Sequence, residues 1–502
     1  MTRVQVSGRL LARNTLFNFI GQGIPLLVGL VTIPLIVRGL GAERFGLLSL
    51  TWVVLGYFTI FDLGLGRAAT KYVADALARG DQDRVSRLVW TAVTVQGIFG
   101  GIGALTLVGA TPLLVDPVLN VPPALVGEAK TTFYLLAMSV PAVLVSSSLT
   151  GVLAAAQRFD LVNAVGASFS VANSLLMLAA VLLWDWHLPQ IVATLVLSRI
   201  VALSVYYGLC LRVLPSLRGL PRCHWGELRA LMSFGGWVTV SSIVGPILVY
   251  LDRFMIGALL TITAVAYYSA PYEMATRLWI IPMSLGATLF PAFSILTGQE
   301  QWTRLTFLLS RSVKWVLLTL GPVVILVVAF AHDILRLWLG PAFAAESTLV
   351  LQILAVGVLV NSLAHAPYSL VQVLGRPDLT AKFHLAELPL HVFLSWWLIS
   401  LWGTTGAALA WSVRVAVDAL LLFLASYHLT SLPIGSLVSD RVIQSFLFLL
   451  LFAAITLGIS SLPFAIWPRL LGLMIVLSAA GVTIWQHLLD GKEREQIARL
   501  LH

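Results

Sequence analysis

Charge-free apolar runs of membrane-spanning length follow one another along almost the whole chain, and they fix its solvent before any motif is read. Residues 14–37, 88–115, 131–157 and 161–184 contain no Asp, Glu, Lys or Arg, and neither do 347–375, 388–413, 419–439, 442–468 and 470–489. A bilayer core is crossed by about 20 apolar residues of helix. A soluble core has no room for so many uninterrupted apolar helices, whereas a helix in lipid satisfies its own backbone. Composition agrees: 11% of the residues are charged, against roughly 25% in soluble domains. The sequence therefore predicts an all-α polytopic membrane protein.

About fourteen transmembrane helices are expected, near 14–37, 45–66, 88–115, 131–156, 161–184, 189–211, 233–257, 266–296, 313–331, 347–371, 381–401, 404–426, 442–462 and 468–489. The run 388–413 is divided because Gly403-Thr404-Thr405-Gly406 reads as a turn. The gaps between spans are short, which leaves no room for an extramembrane catalytic domain. The segment Met1–Arg13 carries Arg3, Arg9 and Arg13 ahead of an apolar run without a small-residue cleavage signal. It reads as the start of a retained first span, not a removed signal peptide.

Basic residues orient the spans. With the N-terminus inside, the cytoplasmic gaps and both tails hold 22 of the 31 Lys and Arg, and the outer gaps hold 5. That bias predicts both termini in the cytoplasm and an even number of spans. The same bias accounts for the net charge of +9 without any nucleic acid partner. The two cysteines, Cys210 and Cys223, flank a basic loop on the cytoplasmic side and read as free thiols. No phosphate-binding glycine loop with Lys-Ser or Lys-Thr occurs, and no Cys/His cluster has zinc spacing.

A repeat is visible in outline. Gln157-Arg158-Phe159-Asp160-Leu161 follows the fourth span, and Gly375-Arg376-Pro377-Asp378-Leu379 follows the tenth, 218 positions on. Phe45-Gly46-Leu47-Leu48-Ser49 and Val265-Ala266-Tyr267-Tyr268-Ser269 open the second and eighth spans, 220 positions apart. Six spans per copy in one orientation imply parallel repeats about an axis along the membrane normal. The expected organisation is two six-helix lobes related by pseudo-two-fold symmetry, 1–215 and 216–430, with two further helices and a tail at 431–502.

Several stretches resemble the Wzx-type polysaccharide (O-antigen) flippases. They are Arg13-Asn14-Thr15-Leu16-Phe17-Asn18-Phe19, Pro34-Leu35-Ile36-Val37-Arg38-Gly39-Leu40-Gly41-Ala42-Glu43-Arg44-Phe45-Gly46, and Asp62-Leu63-Gly64-Leu65-Gly66-Arg67 running on to Lys71-Tyr72-Val73-Ala74. Asp252-Arg253-Phe254-Met255-Ile256-Gly257 and Leu337-Trp338-Leu339-Gly340 are similar to that family's later motifs. The likeness runs from the first span to about residue 385 and is weakest over the last two spans. The family belongs to the multidrug/oligosaccharidyl-lipid/polysaccharide exporter superfamily. The resemblance implies two six-helix lobes around a central cavity, alternating access, and no enzymatic activity. It also implies a bacterial inner-membrane location and a cargo of undecaprenyl-diphosphate-linked oligosaccharide, moved from the cytoplasmic to the outer leaflet. Membrane lipids, and the polymerase and chain-length proteins of the same glycan pathway, would be its partners. Within the superfamily, a lipid II flippase or a multidrug exporter is the alternative. Outside it, the alternatives are a membrane-embedded glycan polymerase or ligase, and a scaffold of an export complex.

Ionisable residues inside spans are costly and mark candidate sites. Each has a structural reading beside its functional one. Arg199 stands in the sixth span with no acidic residue within helical reach. A buried arginine of that kind needs a partner on another helix or an anionic ligand. Glu273 and Arg277 stand i,i+4, the favourable order for a structural pair; alternatively Arg277 exchanges its carboxylate for a substrate diphosphate. Arg414 and Asp418 are i,i+4 in the less favourable order. Arg253 either snorkels to the headgroups or lines the outer cavity, and its neighbour Asp252 points elsewhere on the helix. Arg67 and Lys71 are ordinary loop charges or an inner receiving site for diphosphate. Asp62, Glu273 and Glu387 are candidates to carry a coupling proton or sodium ion, because a carboxylate in low dielectric holds its proton more readily. Glu387 stands one turn from His391 across Pro389, where a helix can bend, and His365 is a further titratable group. No bound cofactor is expected beyond such an ion gradient.

Overall fold

The computed structural model describes residues 8–184, 186–219, 223–233, 236–430, 440–462, 466–491 and 493–495. Among them every regular element is helical. The long helices are α1 (Gly8–Phe58), α3 (Gln82–Leu113), α4 (Val126–Ala155), α5 (Phe159–Leu183), α6 (Leu188–Val213), α8 (Gly236–Leu259), α11 (Trp302–Ala329), α13 (Pro341–Val373), α14 (Pro377–Thr430), α15 (Asp440–Ser461) and α16 (Ile466–Thr483). Shorter ones are α2 (Leu65–Arg79), α7 (Trp225–Ser233), α9 (Ile262–Thr276), α10 (Ile280–Gly298) and α12 (Ala331–Trp338). Eleven described helices are long and apolar enough to cross a membrane. The protein is a multi-pass membrane protein. Apolar side chains such as Leu105, Leu183, Leu451 and Ile475 are exposed, as a lipid-covered surface requires.

Two of the eleven helices contain a break. In α1 it falls at Gly41 (φ 77, ψ 164), between the expected spans 14–37 and 45–66. In α14 it falls at Trp402 and Gly403 (φ 58, ψ −134), at the start of the expected Gly-Thr-Thr-Gly turn. Both glycines adopt dihedrals closed to residues with a Cβ. The backbone of α14 stays helical through Pro389. The expected span 266–296 is divided differently, into α9, a 3-10 turn at Arg277–Trp279, and α10. That division places Pro282 in the first turn of α10, where its missing N–H costs nothing.

The segment 67–87, expected as a cytoplasmic gap, holds a helix of its own. One face of α2 buries Leu65, Ala68, Ala69, Val73 and Ala76, while Arg67, Lys71 and Asp75 are exposed. Gly80 (φ 73) ends it, and the Asp81 side chain accepts the Arg84 N–H at 2.9 Å to start α3.

The chain forms two compact units, 1–269 with 384–407, and 270–383 with 408–502. In the first, α3 runs along α4, and a Cβ on Gly100 would lie 2.5 Å from the Pro141 Cα. Small residues at such a crossing let two membrane helices approach closely. Leu88, Ala92, Leu149, Leu153, Tyr206 and Cys210 fill the core below. In the second, α11 lies against α13 and α15, with Val316, Leu320, Val324 and Ala355 in one cluster.

Corresponding turns recur along the chain. After α4, Gln157 adopts φ 58, the Arg158 N–H reaches back to the Leu153 carbonyl, and Arg158 binds Asp160 at 2.9 Å. After α13, Gly375 adopts φ 72, the Arg376 N–H reaches the Val371 carbonyl, and Arg376 binds Asp378 at 2.9 Å. The turns before α3 and α11 also match. Gly80 and Glu300 are both left-handed, at φ 73 and φ 56, and the N–H groups of Asp81 and Gln301 bond back to Ala76 and Leu296. Arg158 and Asp160 therefore perform the same local task as Arg376 and Asp378.

A candidate cargo site in the first unit

Arg199 lies on α6 in a run of aliphatic residues and is half-buried. Among the described residues it makes no ion pair and no hydrogen bond. It lines a cavity of about 270 Å³ with Trp52, Gly56 and Thr59 from the first helix and its end, and Tyr250 from α8. The volume lies near the lower end of the roughly 300–1,000 Å³ of ligand pockets. It suits a small polar group.

Tyr250 links this cavity to a second arginine. The Arg253 guanidinium sits over the Tyr250 ring, 5.8 Å from its centroid, within the range of a cation–π contact. Tyr57 meets Tyr250 and Phe254 edge-on, each at 6.1 Å. Asp252 is fully buried. One of its carboxylate oxygens accepts the Arg253 N–H at 2.8 Å and the other accepts the Tyr268 hydroxyl from α9. The cavity wall is aromatic with Arg199 as its cation, and Arg253 is buried behind Tyr250 at 4% exposure. Planar guanidinium groups bind phosphate or carboxylate oxygens through paired N–H donors, and the rings supply flat apolar contact beside them.

The other candidate charges take varied positions. Asp62 ends a 3-10 turn and precedes left-handed Leu63 and Gly64. Its carboxylate accepts the Gly66 N–H at 3.3 Å and a Gln96 amide hydrogen, so it caps α2 and ties it to α3. Arg67 and Lys71 are exposed on α2, with the Lys71 ammonium 5.6 Å from the Tyr72 ring centre. In the second unit, Arg277 reaches Glu273 at 3.4 Å as an i,i+4 pair, 41% and 28% exposed. Close by, the Trp411 ring meets Tyr272 edge-on at 5.7 Å and Trp279 at 6.3 Å. Also in that unit, Arg414 is half-buried and Asp418 is buried within electrostatic reach of His365. Glu387 and His391 are both buried, and the His391 Nδ1 lies 3.4 Å from the Ser395 hydroxyl.

Thus Tyr250 lines the Arg199 cavity on one side and meets Arg253 on the other, an arrangement of α1, α6 and α8 that local spacing does not display. Trp52, Tyr57, Thr59, Tyr250 and Tyr268 escaped the sequence reading. Their one available signal was a set of aromatic and hydroxyl groups in otherwise aliphatic spans. Lys314 also escaped it. One of the 22 basic residues assigned to the cytoplasmic side, it is buried in α11 against Glu493.

Comparison with known proteins places this architecture. The model of the polysaccharide biosynthesis protein family matches residues 11–297, and that of the MatE family matches 238–397. A Shigella flexneri protein named "Putative O-antigen transporter" is 30% identical over 412 residues, covering 82% of this chain and 96% of that one. Among solved structures, the lipid II flippase MurJ in an inward closed conformation aligns with TM-score 0.72 at 11% identity, covering 93% of this chain and 97% of that one. An inward-facing multidrug resistance MATE family transporter of the MOP superfamily aligns with TM-score 0.71 at 14% identity, covering 82% and 98%. At such identities the structural likeness speaks for the fold, and the sequence matches speak for descent. The chain belongs to the polysaccharide biosynthesis protein family, the Wzx-type polysaccharide flippases, and relatives with a named activity are transporters or flippases and not enzymes.

Proposed function

We propose that this protein moves undecaprenyl-diphosphate-linked oligosaccharide repeat units from the cytoplasmic to the outer leaflet of the bacterial inner membrane. Arg199 carries the proposal. It is a half-buried guanidinium with no carboxylate partner among the described residues, and it faces a cavity walled by Trp52 and Tyr250. Such a group is expensive to hold within a span unless an anion uses it. A diphosphate crossing hydrocarbon unaided faces a prohibitive desolvation cost, and a cationic cavity removes that barrier. The name of the Shigella flexneri relative points to the same class of cargo.

In this reading the lobes 1–215 and 216–430 rock in alternating access, with 431–502 as an addition. The polyprenyl tail stays in lipid. Arg253, Arg277, Arg414, Arg67 and Lys71 offer further cationic contacts along the path. Glu387, buried one turn from His391, is the first candidate to carry a coupling proton or sodium ion, ahead of Glu273 and Asp62. The polymerase and chain-length proteins of the pathway would receive the exported unit.

The decisive experiment deletes the gene, extracts polyprenyl-diphosphate lipids and assays the leaflet on which they sit. Complete repeat units accumulating on the cytoplasmic leaflet support the proposal. Single units exposed outside but unpolymerised reject it in favour of a polymerase. Unchanged lipid-linked glycans reject it in favour of a drug exporter or scaffold. Coupling is tested separately: transport in vesicles that ignores both imposed pH and sodium gradients removes the carboxylate roles.

A further inference from the structure

A second polar pocket, of about 450 Å³, opens in the first unit beside the start of α3. Asp83, Ser86, Arg87 and Trp90 form one wall. Their spacing of three and four residues puts them on a single helical stripe. Ser216, from the 3-10 turn Pro215–Arg218, and His224, just ahead of α7, form the other wall. The His224 N–H donates to the Thr91 hydroxyl at 3.1 Å, which fixes that wall against α3.

The charges here are mixed, and their arrangement is unusual. Asp83 and Arg87 are i,i+4 and would ordinarily pair. Instead Arg87 turns toward Glu227 of α7, 3.7 Å away, where Arg84 also binds at 3.5 Å. Asp83 is exposed and makes no ion pair or hydrogen bond among the described residues. Deeper in, the Trp90 indole N–H and the Ser216 hydroxyl are shielded from solvent and have no partner among the described residues. Buried donors without acceptors are uncommon and call for a ligand or water.

We propose that this pocket seats one zwitterionic phospholipid headgroup, a phosphate joined to a primary ammonium. The phosphate oxygens take the Arg87 guanidinium and the ammonium sits on Asp83, with Trp90 and Ser216 walling the pocket behind them. Asp83 and Arg87 are one helical turn apart, ~5.4 Å, close to the reach from phosphate to ammonium in an ethanolamine headgroup. A purely anionic headgroup would leave Asp83 facing like charge. The position favours a lipid over a soluble phosphate. The pocket lies where α3 passes from its polar first turns into its apolar run. Trp90 there meets the exposed Tyr207 ring at 6.2 Å, in the manner of aromatic residues at a membrane interface. The inference does not depend on the cargo proposed above.

The test titrates the purified full-length protein with dihexanoyl-phosphatidylethanolamine, dihexanoyl-phosphatidylglycerol and phosphoethanolamine. The ethanolamine lipid is expected to bind most tightly. Asp83→Asn should abolish its preference over the glycerol lipid. Arg87→Gln should weaken both lipids by about threefold or more, the scale of one half-exposed charge contact. Among the described residues Asp83 holds no other in place, so Asp83→Asn leaves the fold as a control. Equal binding of the two lipids to the wild type, or a preference that survives Asp83→Asn, overturns the headgroup assignment. Phosphoethanolamine binding as tightly as the lipid overturns the lipid source and makes the ligand a soluble phosphate amine.

Discussion

Lys314 and Glu493 form a buried ion pair, the ammonium lying 2.9 and 2.7 Å from the two carboxylate oxygens across 179 positions of sequence. Arg311 binds the same carboxylate at 2.8 Å, and the Asp490 N–H donates to it at 2.8 Å. Arg441 holds Asp490 at 2.6 Å. The segment after the last span is thereby fastened to α11 and α15. Lys314 and Glu493 are 3% and 1% exposed, so removing one partner strands a charge. Breaking a buried pair typically costs about 3–5 kcal/mol. Glu493→Gln is expected to lower the thermal midpoint of the purified protein. The double variant Lys314→Met/Glu493→Leu should recover most of the loss. An unchanged midpoint in Glu493→Gln would contradict the latch.

The latch should also respond to acid. Burial by itself would raise the Glu493 carboxyl, but the Lys314 hydrogen bond, the Asp490 N–H and the charges of Lys314 and Arg311 hold it below the usual range. A carboxylate depressed in the folded state adds stability that is complete above its unfolded value of about 4.3 and is lost as pH falls through the lower folded value. Limited proteolysis of the C-terminal tail from neutral pH downward should show protection above that range and release below it. In Glu493→Gln the tail should be cut at a rate that no longer changes across the window.

The contrast between Glu493 and Gly403 shows what a sequence of this kind makes legible. Span positions and the α14 turn depend on neighbouring residues, so apolar runs and a glycine pair reveal them. The Glu273–Arg277 contact is equally local. Lys314 reads as a loop charge because its partner is nearly two hundred residues away. Asp62 reads as an intramembrane acid because nothing nearby announces the left-handed turn at Leu63 and Gly64, which converts it into a cap for α2. The cavity that Arg199 lines with Trp52 and Tyr250 needs α1, α6 and α8 in register, and no local spacing encodes that.

The crossing of α3 and α4 predicts opposite effects at adjacent glycines. A Cβ at Gly100 would lie 2.5 Å from the backbone of Pro141, while one at Gly101 would meet nothing within 4 Å. Gly100→Ala must push the helices apart, at a cost of about 1–3 kcal/mol for overpacking. Gly101→Ala gains about 0.5–1 kcal/mol from lower chain entropy in the unfolded state. Thermal midpoints of the two variants in the same detergent decide it. Equal midpoints would mean that the helices do not meet at Gly100.

Arg199 should separate activity from stability. It has no carboxylate to leave behind among the described residues, and a half-buried cation without a partner is itself a cost to the fold. Arg199→Ala should therefore leave the thermal midpoint unchanged or raise it, the reverse of Glu493→Gln. Transport should fall at least about tenfold, since a hydrogen bond to a charged group contributes about 1.5–3 kcal/mol. Arg199→Lys keeps the charge but not the planar fork, so it should fall between. The measurement is restoration of surface polysaccharide in a deletion strain, at matched protein levels. Full restoration by Arg199→Ala would dismiss the cavity as an anion site. A loss of both protein and activity would show instead that Arg199 is structural. A stable but inactive protein is the outcome that ties the cationic, aromatic surface at Tyr250 to the passage of a charged headgroup.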